Sequence, residues 1–491
     1  MLDLAIRNAE IVTAGDRIHA EIGIRQGRIV SIAENVGLAR QDIDAKGLLV
    51  LPGGIDAHVH LEQPQGGGVV MADGFESGTR SAAAGGNTTV MPFALQQKGQ
   101  SLREAVDAYH AAAKGKCYVD TSFHLIITDP TPQVLGQELP ALVKAGYTSF
   151  KVFMTYDDMV LNDRELIEVF DVARREKAMV MVHAEGYDAT KYMARRLEEA
   201  GKIAPYYHAE SRPQSVEREA THRAISHAEL TDVPITIVHV SGRDPMEQIQ
   251  WAKKRGMNVY AETCPQYIAL TADDLKGLNM DFEGAKYVCS PPPRDLDSQK
   301  AIWEGLRDGT FDIFSSDHCP FRFEDAQGKD APGARTNFKW VPNGIPGVET
   351  RLPILFSEGV SKGRISIERF VELTATNPAK LFGLYPKKGT IAVGADADLT
   401  FWDPERDVTI SQSLMHHDCD YTPYEGLQVK GWPVRTILRG QTIMQDGEVL
   451  GAPTDGEYLE RGTSKAFTKL VDAHASVRSS RSASDGHGAL L

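Results

Sequence analysis

Between about residue 51 and residue 385 the chain repeats one pattern, a short apolar run followed by a helical stretch and then another apolar run. This alternation constrains the fold strongly, because continuous apolar runs of strand length need cover on both faces, as in a parallel sheet flanked by helices. The runs fall at 88–94, 121–127, 149–153, 179–183, 235–240, 258–262 and 311–316, and helices are predicted over 101–113, 163–175 and 245–255. Seven or eight such units point to an α/β fold, a (β/α)8 TIM-like barrel. A doubly wound open sheet is the alternative, but no G-x-G-x-x-G opens the first helix, which counts against a dinucleotide site.

Both chain ends read differently. Ala5-Ile-Arg-Asn-Ala-Glu-Ile-Val12 and Arg28-Ile-Val-Ser-Ile-Ala33 alternate apolar and polar residues, and the same texture returns over 389–402 and 434–444. They predict short antiparallel strands. The expected organisation is a smaller β-sandwich domain from 1–50 and 386–450, a barrel over 51–385, and a C-terminal extension over 451–491.

A chain of 491 residues with 42% hydrophobic and 24% charged residues can bury a large core, and its formal net charge of −14 argues against nucleic acid or an anionic membrane as partner. No run approaches the length of a membrane-spanning helix and the start lacks a secretory pattern, so a cytoplasmic protein is expected. Five scattered cysteines without C-x-x-C spacing fit a reducing compartment.

The barrel reading places functional residues at the C-terminal ends of strands. Leu51-Pro-Gly-Gly-Ile-Asp-Ala-His-Val-His60 carries two imidazoles two residues apart, which in a strand point to one face and can reach one metal ion. Asp56 is placed to orient one of them from behind. Lys151, His183, His239 and Asp317 occupy comparable strand positions. Each alone has a plain structural explanation, but together they form a ligand set. A lysine inside an apolar run is costly as an ammonium. Between two divalent cations its neutral amine can take up carbon dioxide as a carbamate and bridge them, with Asp317 beside the shared water as proton carrier.

These residues sit in stretches that resemble the cyclic amidohydrolases, and among them the dihydropyrimidinase and hydantoinase group. The matching segments include Pro52-Gly-Gly-Ile-Asp-Ala-His-Val-His60, Phe150-Lys-Val-Phe-Met-Thr-Tyr156, Val182-His-Ala-Glu185, Val238-His-Val-Ser241, Ala261-Glu-Thr-Cys-Pro265, Cys289-Ser-Pro-Pro-Pro293, Ser316-Asp-His-Cys-Pro320 and Asn343-Gly-Ile-Pro-Gly347, in order over about residues 5 to 450. The resemblance implies that His58, His60, Lys151 and Asp317 hold one metal, and that Lys151 as N6-carboxylysine, His183 and His239 hold the other. Zinc is the expected metal, with cobalt or manganese as alternatives. Asp317 and Tyr156 would be catalytic, Tyr156 supporting the oxyanion, and Tyr156, Ser290 and Asn343 would contact the substrate. Family members are commonly homotetramers.

Glu62 stands where dihydroorotases and allantoinases typically carry an arginine, and a carboxylate there would repel an anionic substrate, so a neutral ring, dihydropyrimidine or hydantoin, is expected. Gln63-Pro64-Gln65 and the segment from Met91 to Lys98 depart from the group's usual pattern and leave allantoin or a cyclic imide as alternative substrates. A non-catalytic scaffold is a second reading, but scaffold relatives have lost ligands and all six are present here. Residues 461–475 suggest a peripheral helix, and residues 476–491, with His487, a solvated or subunit-bridging tail.

Overall fold

A computed structural model describes residues 1–468. Eight parallel strands follow one another around a barrel: β1 (Gly54–Val59), β2 (Asn87–Leu95), β3 (His124–Ile126), β4 (Ser149–Phe153), β5 (Met179–His183), β6 (Ile235–Ile237), β7 (Val259–Thr263) and β8 (Ile313–Phe314). The strand order never reverses, which excludes the doubly wound alternative. The ring closes just beyond β8, where the His60 N–H donates to the His318 carbonyl at 2.7 Å.

The runs at 149–153 and 179–183 form strands as predicted, whereas those at 235–240 and 311–316 are strand only to Ile237 and Phe314. The chain turns soon after, through left-handed backbone at His239 (φ 41°) and Asp317 (φ 51°). The three predicted helices are present as Leu102–Ala113, Asp163–Glu176 and Arg243–Lys254. The second begins in a capping box: Asn162 Oδ1 accepts from the Glu165 N–H at 3.1 Å, and Glu165 Oε2 accepts from the Asn162 N–H at 2.9 Å.

The two chain ends join in one nine-stranded mixed sheet. Its centre runs Leu399–Thr409, Leu49–Pro52, Leu2–Val12 and Arg17–Arg25, with Ile6, Ile22, Leu399, Phe401 and Ile437 in a core of its own. The expected antiparallel pairing needs correction at Leu2–Val12, which pairs in parallel with both Ala39–Asp44 and Leu49–Pro52. The chain crosses over after Ala33 instead of turning back in a hairpin, and such a crossover yields parallel neighbours. Leu49–Pro52 leads directly into β1, so this sheet fixes where the barrel begins. A side chain at the junction residue Gly53 would meet Thr88 Oγ1 at 2.2 Å.

Residues 457–462 lie across the N-terminal ends of the barrel strands. The Thr121 N–H donates to Glu457 O at 2.9 Å and the Leu459 N–H to Thr121 O at 2.7 Å, while Arg461 donates to Ser149 Oγ at 2.7 Å and Phe123 O at 2.5 Å. Leu459, Phe382 and Leu384 pack with Ile55 and Ala57 of β1, so the barrel floor is plugged. Of the helix expected over 461–475, residues 461–464 are not helical and helical backbone starts at Ala466; positions 469–491, including His487, lie outside the described residues.

Arg461→Ala leaves a buried carbonyl and hydroxyl without their donor. The expected result is a loss of about 2 kcal/mol, read as a lower denaturant midpoint with an unchanged slope.

Candidate metal centre

The inward direction of His58 and His60 comes from an irregularity in β1. Ile55 and Ala57 face the barrel interior, and strict alternation would turn His58 outward. Relative to β2, where Asp56 pairs with Val90 and Val59 with Pro92, β1 carries one extra residue. This bulge shifts the alternation, and both histidines enter the barrel mouth. Asp317 meets them there: its Oδ1 lies 3.1 Å from His58 Nε2 and 3.4 Å from His60 Nε2. These three donor atoms fit within 4.8 Å of one another. Lys151 Nζ is 3.3 Å from the same His58 Nε2, and the His239 ring lies 5.4 Å from that of His58 and 4.4 Å from that of His183. All six expected ligands therefore converge on one volume.

Three of the four imidazoles are oriented from behind, but not by the residue expected. The bulge leaves Asp56 beside Arg351 Nε at 3.4 Å, and its Oδ1 accepts from the Ser316 N–H at 3.1 Å, so it supports barrel closure instead of a ligand ring. Glu262 takes that role, with Oε1 2.7 Å from His58 Nδ1 and 3.1 Å from the His239 backbone nitrogen. Gln63 Oε1 lies 2.8 Å from His60 Nδ1. Glu185 Oε2 lies 2.6 Å from His183 Nε2 and accepts from Arg212 at 3.0 Å. Burial pushes the Glu185 carboxyl up, but Arg212 and His183 outweigh it and hold it down at about 2. Such partners fix the tautomer and leave the opposite ring nitrogen free to bind. Sequence reasoning missed Glu262, Glu185 and Arg212 as positioning residues; Glu262 and Glu185 lay inside motif stretches, Glu185 two positions after His183.

Lys151 is fully buried, with Nζ 5.2 Å from the ring centroids of both Phe93 and Phe153. Burial pushes its amine down, against the pull of Asp317 and Glu262, towards the neutral form that reacts with carbon dioxide. Phe93, from the segment noted for its unusual sequence, also stacks on His60 at 4.8 Å. Burial holds His58, His183 and His239 below the ordinary histidine range, so their rings are neutral and able to ligate at neutral pH. His239 Nδ1 is buried without a hydrogen-bond partner among the described residues. Neutral imidazoles, a carboxylate and an orphaned buried nitrogen fit a divalent cation pair such as zinc.

Tyr156, in left-handed backbone (φ 70°), stands over this group with its ring 5.3 Å from His183 and the Arg212 guanidinium 5.6 Å from its own face. Left-handed backbone at Tyr156, His239 and Asp317 is the kind of local strain that gathers at working sites. Ser290 Oγ lies 3.2 Å from His208 Nε2, and Asn343 Oδ1 is buried without a partner among the described residues. Glu62 requires a correction: its carboxylate is exposed and pairs with Lys116 at 3.2 Å. It does not face the metal centre, so it repels nothing there, and only the missing arginine bears on substrate charge.

A parallel barrel with a polar ligand cluster at the C-terminal ends of its strands defines a TIM-barrel enzyme. Residues 49–443 match the amidohydrolase family model. The D-hydantoinase of Rhizobium radiobacter is 46% identical over 461 residues, covering 94% of this chain and 99% of that protein. Among solved structures, a D-hydantoinase superposes with a TM-score of 0.91 at 46% identity, and a dihydropyrimidinase from Brevibacillus agri NCHU1002 with 0.91 at 42%, each covering 94% of this chain and 99% of its own. The chain belongs to the amidohydrolase family, and it is a cyclic amide hydrolase.

Gln63→Leu removes the partner of His60 Nδ1 while keeping the side-chain volume. Metal affinity is expected to fall roughly 10- to 100-fold in chelator competition, whereas Glu62→Gln leaves it unchanged.

Proposed function

We propose that the protein hydrolyses the ring amide of a neutral cyclic ureide, a hydantoin or dihydropyrimidine, to an N-carbamoyl amino acid. The observation that carries this reading is the convergence of His58, His60, Lys151, His183, His239 and Asp317 at one barrel mouth. In this reading His58, His60, Lys151 and Asp317 would hold one zinc ion, and Lys151, as a carbamate, would hold a second with His183 and His239. Bound there, such cations would supply a water of lowered pKa and polarise the ring carbonyl.

The residues of the chain divide the remaining work. Asp317 takes the proton from the attacking water and delivers it to the leaving ring nitrogen, so that water adds across the C–N bond. The Tyr156 hydroxyl donates to the oxyanion of the tetrahedral intermediate. Burial pushes that hydroxyl well above its usual pKa, which keeps its proton in place to donate. Backbone groups at Ser290 and Asn343 hold the ring amide. With no arginine at position 62 to read a carboxylate, a neutral ring is favoured over dihydroorotate. The relatives named D-hydantoinase make 5-substituted D-hydantoins the first substrates to test. Five free cysteines support a cytoplasmic setting, and the family likeness a homotetramer.

Purified protein is expected to carry about two metal ions per chain and to open dihydrouracil and 5-substituted hydantoins in a ring-opening assay; a preference for dihydroorotate would overturn the neutral-ring reading. Lys151→Ala is expected to lose both metals and activity, with partial rescue by short carboxylic acids, and full activity in it ends the bridging-lysine reading. Asp317→Asn is expected to lower kcat roughly 10²- to 10⁴-fold.

A further inference from the structure

Lys329 is a second fully buried lysine, outside the metal centre. Its Nζ donates to two backbone carbonyls, Val288 O at 2.8 Å and Pro342 O at 2.7 Å. No ion pair to Lys329 forms among the described residues: the Phe321 ring centroid lies 5.9 Å from its Nζ, and burial pushes the nearby Cys289, Cys319 and Cys419 thiols up, so that they stay uncharged. An ammonium buried without a counter-charge costs more than a methionine of similar shape. Its presence therefore indicates a use for the hydrogen bonds it directs.

Both acceptors border the residues read above as substrate contacts. Val288 lies two positions before Ser290, and Pro342 immediately before Asn343. Val288 O also accepts from the Gly344 N–H at 3.0 Å, and the Cys319 N–H donates to Ile345 O at 3.0 Å, two residues past Asp317. Gly344 (φ 145°) has no room for a side chain, since a Cβ would come within 2.3 Å of Cys319 O. One ammonium thus joins two loops that are 53 positions apart between Ser290 and Asn343 (343 minus 290).

We propose that Lys329 is a positioning residue that sets the separation of the Ser290 and Asn343 backbones and thereby the affinity for the ring substrate. The inference rests on the reading of those two residues as substrate contacts. Lys329→Met removes both donated bonds. The expected result is a KM raised roughly tenfold, the equivalent of about one lost hydrogen bond, with kcat within threefold of the parent and metal content unchanged. Lys329→Arg keeps donors at a different spacing and is expected to give an intermediate KM. An unchanged KM in a folded Lys329→Met overturns the proposal, as does a fall in kcat accompanied by metal loss. If Lys329→Met does not fold, Lys329→Arg decides, and an unchanged KM there overturns it equally. A parent protein that opens no ring amide would instead refute the proposed function, so the two failures are told apart.

Discussion

Barrel closure between residues 56–60 and 314–318 is the contact on which the site depends. The Ser316 N–H donates to Asp56 Oδ1, the Ser316 hydroxyl to His58 O, and the His60 N–H to His318 O. Arg351 reinforces the seam, donating to Phe314 O at 2.5 Å and to Asn87 while lying 3.4 Å from Asp56. These bonds carry Asp317 to His58 and His60, residues more than 250 positions earlier (317 minus 60 is 257). β8 alone could not do this, since it is strand for only two residues. A fully buried Asp–Arg pair is expensive to assemble, and it is retained where it fixes geometry.

Above the seam, the same low-polarity setting explains the chemistry of the ligands. Phe93 and Phe153 flank Lys151 and each stacks on a histidine, His60 and His183 respectively. Apolar walls lower the basicity of amine and imidazole, and the carboxylates of Glu262 and Glu185 then aim the neutral rings. Below the seam one hydrogen-bonded path crosses the otherwise apolar interior to the floor: His124 lies 2.5 Å from Ser149 Oγ and 3.0 Å from Ala57 O, and Ser149 accepts from Arg461. The C-terminal strap is thus linked through hydrogen bonds to the strand that carries His58.

Much of this was legible in the chain. β4 and β5 coincide with their apolar runs because both faces of each strand are covered, which makes the run continuous and its ends sharp. The run at 235–240 overran its strand because apolar composition continues through Val238 and Val240 while the backbone turns to present His239, and at 311–316 the strand ends at Phe314, before Ser315 and Ser316 lead into the turn at Asp317. The roles of Asp56 and Glu62 were misread for a related reason. Periodicity counts positions and cannot see a bulge in β1, nor a left-handed Glu62 (φ 47°) swinging its carboxylate to Lys116.

Sequence alone determined the barrel, the origin of the smaller sheet in both chain ends and the six candidate ligand types, because hydrophobic period and donor chemistry are local properties. Tertiary structure decided which partner orients each ligand. Glu262 reaches His58 across 204 positions, Arg212 reaches Glu185 across 27, and Lys329 spans two distant loops. Hydrogen bonds of that kind are set by strand register and loop closure, which no local pattern encodes.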